Sequence, residues 1–287
     1  MTGRVLTLSA GAARLELVPD IGGGLSGLWH DGRPVLRPWS GHGADGPFAL
    51  ACNLLAPFSN RISGGFDWEG RRIELAPNLR GEAFPIHGDA FQRPWEVAEA
   101  GAARARLRLR DGAIGPWRYE AGLTCLLTGH GAELELTLTN RGETLPFGLG
   151  FHPWFPRTDD TTLMFAASGV WEEDDRHLPT GTAPVPLPPA WDFHEARPLP
   201  ESWINNAFAG WSRTLRIGRG PGEPELTMSA SEGLDTLVVY SPSAEAEFFC
   251  GEPVSHPVDA VNLPGRPGLR ILAPGDAMTG RMSLSWN

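Results

Sequence analysis

Four short stretches set chemically active side chains among rigid, turn-forming neighbours. In "LGFHPWFPR" (149–157) one histidine, His152, stands between Phe151 and Pro153 in an otherwise apolar run. In "EFFCGEPVSHPVDAVN" (247–262) Glu252 follows an aromatic strand pattern and is locked between Gly251 and Pro253. "FPIHGDAF" (84–91) places His87 beside Gly88, and "NLLAPFSNRISGGFDWEG" (53–70) ends an apolar run on Asn60-Arg61. An imidazole held between rigid neighbours and a carboxylate expected at a strand end can divide the giving and taking of a proton. A guanidinium in a cleft can fork onto two hydroxyls or a carboxylate. A glycine beside His87 allows close backbone approach. Each residue also has a bland reading: a satisfied core histidine, a surface arginine, a turn. Aromatic residues accompany the polar ones, among them Phe58, Trp68, Phe84, Trp154 and Phe248. Apolar walls with a few convergent polar groups describe a small-molecule pocket, and flat aromatic faces suit sugar rings.

The elements that must hold these residues read as strands. Alternation of period two runs through "RVLTLS" (4–9), "RLELV" (14–18), "RARLRLR" (104–110), "ELELTLT" (133–139), "LDTLVVY" (234–240) and "RMSLSW" (281–286). Turn signals separate them at Asp31-Gly32, Glu69-Gly70, Asp111-Gly112 and "LTGHGAEL". No long helical period and no composition break occurs, which predicts an all-β chain: one antiparallel β-sandwich domain over residues 1–287. The proline-dense segment 176–203 cannot supply a central strand or a helix interior. It carries Trp191, Phe193 and Trp203, so a packed loop beside a site is expected there. Gly22, Gly24 and Gly27 match the spacing of a dinucleotide fingerprint, but the Asp31-Gly32 turn leaves no room for its helix, and a glycine-rich strand junction is expected.

Composition narrows the chemistry. A formal net charge of −10 argues against nucleic-acid binding. All 24 basic residues are arginine, so Schiff-base chemistry, pyridoxal phosphate and a P-loop lysine are excluded. Cys52, Cys125 and Cys250 form neither a disulfide framework nor a cysteine-rich zinc motif. No apolar leader or membrane-length stretch is found, and a cytoplasmic protein without membrane association is expected.

Taken in chain order, "NRISGGFDWEG", "IHG", "GFHPWF", "NNAFAGW", "CGEPVSHPVDAVN" and "GLRILAPGDAMTGRMSLSW" resemble the aldose 1-epimerase (galactose mutarotase) family. The resemblance runs from about residue 20 to the C-terminus. It implies a galactose mutarotase-like supersandwich that interconverts the α and β anomers of a free aldose without a cofactor. In its terms His152 matches the general acid, Glu252 the general base, and Arg61 and His87 sugar-binding positions. Asn60, Trp154, Asn205 and Phe208 lie in the same motifs and are expected to bind substrate. Pyranose opening needs a proton removed from the C1 hydroxyl and one delivered to the ring oxygen, which suits a carboxylate and an imidazolium. An anionic Glu252 would favour charged His152. One departure stands out: Asn205 occupies the place of a family aspartate, three residues before Phe208. That loss leaves Arg61 without a potential partner and suggests an anionic substrate, such as a sulfonated, phosphorylated or uronic sugar.

Rival readings remain at this level. His87, His152 and Glu252 are one potential metal set, though no metal is expected. A glycoside hydrolase would need a second carboxylate, with Asp67, Asp89 and Asp259 as candidates. A non-catalytic sugar-binding or sensing protein would keep the cleft without turnover. A small-molecule sugar is the expected partner, and the chain is expected to be a monomer or homodimer. His30, His42, His130, His177, His194 and His256 are read as surface or structural, His256 least firmly because it shares the Glu252 motif.

Overall fold

The computed structural model describes residues 4–39, 41 and 47–286; His42 lies outside them. All six alternating segments are strands. Leu6–Ala10, Ala13–Val18, Arg104–Ile114, Gly131–Asn140, Thr236–Ser241 and Ala277–Trp286 each cover the segment anticipated, within a few residues. In Gly131–Asn140 every second residue is buried, so one face meets the core and the other meets water. The protein is all-β, built from antiparallel sheets.

Two large sheets dominate. A 10-stranded sheet carries, side by side, Cys52–Leu55, Gly150–Pro156, Phe248–Val254, Thr236–Ser241 and Ile204–Ala209. A 9-stranded sheet holds Ala277–Trp286, Gly131–Asn140, Trp117–Thr128 and Arg104–Ile114 in that order near one end. Their inner faces share one core, in which Phe151, Phe155 and Phe249 from the first sheet belong to the same cluster as Leu123, Leu136 and Met282 from the second. Each fully buried side chain of this size contributes about 1.5–3 kcal/mol. A smaller cluster of Leu55, Trp171, Ala207, Val238 and Val254 packs separately.

Turn chemistry behaves as expected at Asp31-Gly32, Glu69-Gly70 and Thr128–Gly131. Asp111-Gly112 is a correction. It lies inside Arg104–Ile114, opposite a register shift at Tyr119/Ala121, and the chain reverses only between Ile114 and Trp117. The Tyr119 ring fills the space where a Gly112 Cβ would sit, so this glycine serves close packing rather than a turn. The Gly22–Gly27 run is a strand junction: Gly24–His30 is a strand, and Gly22 has φ +65° with its missing Cβ directed at the Phe91 carbonyl.

Candidate active site

His152 and Glu252 lie on adjacent central strands. The register that pairs Gly150 with Val254 and Trp154 with Cys250 sets His152 opposite Glu252. Pro153 and Pro253 have no N–H to give, and they interrupt the ladder between those paired positions. His152 Nε2 lies 3.3 Å from Glu252 Oε1, and both side chains are almost wholly buried. His152 Nδ1 and Glu252 Oε2 are buried without a hydrogen-bond partner among the described residues. Few buried polar atoms stay unpaired in a folded protein, and two in one acid–base pair point to a polar ligand.

Burial also decides where the proton sits. It pushes the Glu252 carboxyl up to about 8 against a small opposing pull from Arg61, and it pushes His152 down to about 3, with the Arg37 charge adding to the shift. The expectation of an imidazolium held charged by its neighbour is therefore corrected. In the free protein near neutrality the shared proton rests on Glu252 and His152 is neutral, because desolvation outweighs their mutual attraction. Across that range the pair still holds one donor and one acceptor.

The walls of the cleft come from several elements. His152 stacks on Trp154 at 4.9 Å, and Arg37 lies 4.1 Å over the Trp154 ring, fixing both planes. Phe48 approaches His87 and His152 at 5.6 and 5.8 Å. Asn60 and His87 form a reciprocal clamp: the Asn60 N–H donates to His87 Nδ1 at 3.0 Å, and the His87 N–H donates to the Asn60 carbonyl at 2.9 Å. Both residues have φ between +50° and +60°. A Cβ on Gly88 would collide with the Ala56 carbonyl, which explains the glycine after His87. Because Nδ1 accepts, the His87 proton is on Nε2, where it remains a donor. Burial and the neighbouring His152 and Arg61 hold this ring well below the usual histidine range.

Arg61 is not the unpaired cation expected from the loss of the aspartate. Its Nε and Nη2 donate to the two oxygens of Glu82 at 3.0 and 3.1 Å. Asn60 Oδ1 accepts from the Arg61 backbone N–H at 2.9 Å, so that side chain serves the loop as well as the cleft. Asn205 lines the opposite wall and donates to Glu173 Oε2 at 3.0 Å. Phe208 is a further correction: it is fully buried in the core against Phe165 and Phe193. An odd separation on one strand sends Asn205 and Phe208 to opposite faces. His177, read as surface or structural, lines the cleft with Trp203, on which it stacks at 5.4 Å.

Residues with no signature of their own complete the site. Glu82 comes from an irregular loop, Phe48 from the short 3-10 helix Pro47–Ala49 and Tyr240 from near the end of Thr236–Ser241, while Glu173 stands behind Asn205 rather than in the cleft wall. Tyr240 could have been found by register, since it pairs with Cys250 and shares the face of Glu252. Trp203 lies in the proline-dense segment, which does pack beside the site. The three aspartates raised for a hydrolase do not line the cleft. Asp89 accepts from Tyr119 Oη at 2.6 Å, Asp259 caps Ser63, and Asp67 is exposed. His256 is structural: Nε2 accepts from the Ser59 N–H at 3.0 Å while Nδ1 faces the Pro257 carbonyl at 2.8 Å. His152, Glu252 and Cys250 offer ligand atoms within 4.8 Å of one another, a set that excludes His87. Burial and the Glu252 charge hold the Cys250 thiol well above its ordinary value, whereas metal binding requires the thiolate.

The cleft holds about 200 Å³, a single-ring volume below the range of about 300–1,000 Å³ of drug-sized pockets. A cavity of about 640 Å³ around His30, Arg33 and Glu223 is larger, but it has no buried acid–base pair and its Arg33 is paired with Glu223.

The fold is thus an all-β sandwich with a buried imidazole–carboxyl pair beneath a ring-sized aromatic cleft. The aldose 1-epimerase family model matches residues 4–285, and the chain belongs to that family. The chain is 36% identical over 290 residues to YphB, an uncharacterized protein of Escherichia coli (strain K12), with 98% of each covered. A solved structure from E. coli K12, described as a candidate aldose 1-epimerase, superposes with a TM-score of 0.93 at 33% identity and 99% coverage of both chains. A galactose mutarotase-like protein of Clostridium acetobutylicum shares the fold, with a TM-score of 0.87 at 17% identity, covering 98% of this chain and 94% of that one. Among the described residues, no helix is long and apolar enough to cross a membrane.

Proposed function

We propose that the chain folds as one domain and interconverts the α and β anomers of a free aldose by acid–base ring opening. The observation that carries this reading is the buried His152–Glu252 pair, 3.3 Å apart, sharing one proton at the base of the cleft. Sugar hydroxyls donating to the carboxylate stabilise its anion and move the shared proton onto His152. Glu252 then takes the proton of the C1 hydroxyl as the bond from C1 to the ring oxygen breaks. His152 gives its proton to the departing ring oxygen. The C1 end rotates, the ring closes on the other face of the aldehyde, and the two residues exchange roles. No cofactor enters this cycle. Arg61, held by Glu82, and the His87 Nε2–H are the donors that hold sugar oxygens, with Trp154 as an apolar floor.

The test is anomer exchange by NMR on a panel of aldoses at equilibrium, in the presence of a chelator. Acceleration is expected with the wild-type protein, and a fall of about 10²–10⁴-fold in Glu252→Gln and in His152→Asn. Saturable sugar binding without exchange would replace this reading with a sugar-binding protein. Exchange that disappears with the chelator would replace it with a metal mechanism.

A further inference from the structure

Glu173 accepts from two groups on the rim of the cleft. Its Oε2 receives Asn205 Nδ2 at 3.0 Å, and its Oε1 receives Trp203 Nε1 at 3.0 Å. His177 Nδ1 lies 3.2 Å from the same Oε2. Glu173 itself is held by a tight turn, in which Asp174 caps the Arg176 and Leu178 N–H groups and Glu173 bridges to Pro179. The side chain is only 15% exposed.

A side-chain amide presents either its carbonyl or its NH₂ group to a ligand. With Nδ2 donating to Glu173 the Asn205 amide plane is fixed, and Oδ1 is the acceptor it has to offer the cleft. We infer that Glu173 is a positioning residue that fixes Asn205 as a hydrogen-bond acceptor and supplies, one residue away, the carboxylate that this strand position has exchanged for an amide. The inference rests on the proposed sugar cleft and deepens it by naming the substrate class. Arg61 is neutralised by Glu82, and the opposite wall offers an acceptor backed by a carboxylate. Both features suit a neutral aldose with a free hydroxyl at that wall, and neither suits a phosphate, sulfonate or carboxylate there.

A two-residue cycle separates this role from simple packing. In Glu173→Gln the new amide cannot accept from both Asn205 Nδ2 and Trp203 Nε1, so the Asn205 amide turns and shows its NH₂ to the sugar. In Asn205→Asp two carboxylates meet at about the same 3.0 Å, and their repulsion disturbs the same wall. In the double variant the new amide accepts from Trp203 and donates to the new carboxylate, and every partner is again satisfied. The expected result is a rise of about tenfold in KM in each single variant, the size of one net hydrogen bond to a charged group, and recovery to within about threefold in the double variant. The effect falls on KM more than on kcat, because the atoms moved hold a sugar hydroxyl and neither give nor take the transferred protons.

Dissociation constants from tryptophan fluorescence, measured on a neutral aldose and its uronic acid, give the same cycle without turnover. Additive losses in the double variant, a fall in kcat as large as the rise in KM, or tighter binding of the uronic acid by the wild type would each overturn the inference. Wild-type protein that binds aldoses without exchanging their anomers would remove the proposed reaction and leave the cycle to decide on the role of Glu173. Wild-type protein that neither binds nor turns over any aldose would remove both.

Discussion

Replacing Glu252 by glutamine should make the protein more stable while slowing the proposed anomer exchange by about 10²–10⁴-fold. In the folded chain the Glu252 carboxyl is pushed from its ordinary 4.5 up to about 8 by burial. Below pH 4.5 both folded and unfolded chains carry this proton, and the group is neutral with respect to stability. As pH rises above 4.5 the unfolded carboxyl ionises while the folded one keeps its proton, so stability is lost until the folded group also ionises near pH 8. One proton held unequally is worth about 1.4 kcal/mol per pH unit. The difference in unfolding free energy between the two proteins should therefore widen at about that slope between pH 4.5 and 8, approaching roughly 5 kcal/mol as a ceiling, and stay flat above. Glutamine keeps the shape and can donate to neutral His152, so no cavity or lost contact confuses the comparison. Urea unfolding of both proteins from pH 5 to 9, with equal m-values, is the assay. Parallel stability curves across that interval would show that Glu252 is already ionised in the folded chain, and the neutral-pair argument would fail.

Anomer exchange should show a plateau in pH with an upper limb near 8, where the pair loses its last proton; a limb near 6.5 would instead mean that His152 titrates as an exposed ring. Acid should unfold the protein, because His87, His152 and His256 are all held below their ordinary value by burial. Each is neutral when folded, so its contribution is present above about pH 6.5 and lost as pH falls, which unfolding at pH 5 and 7 measures directly. Phe208→Ala should cost about 3–5 kcal/mol of stability as a core deletion, while the KM of the folded fraction stays unchanged. His256→Ala should cost about 1–3 kcal/mol in urea unfolding, since it strips the Ser59 N–H of its buried acceptor.

The long strands of the 9-stranded sheet were legible because they alternate. Gly131–Asn140 and Ala277–Trp286 bury every second residue, and a period of two in burial is a period of two in hydrophobicity. The strands that carry the site gave no such signal. Cys52–Leu55 is buried throughout, and Gly150–Pro156 and Phe248–Val254 are buried at all but one terminal position. One face meets the core and the other lies under the cleft, so their function was readable only through the odd residues, His152 and Glu252, set among prolines and aromatics.

Residue types and their order were enough to determine an all-β chain and a lysine-free site, and to single out His152 and Glu252, which the fold brings together. Tertiary structure alone decided their company. Arg61 found Glu82 rather than an empty cleft, and Asn205 found Glu173, through loops whose sequences carry no periodicity. Phe208 went to the core because strand parity opposes it to Asn205. The protonation of the central pair was likewise out of reach of sequence. It depends on how completely water is removed from two side chains 100 residues apart, and that is a property of the packed fold rather than of either residue.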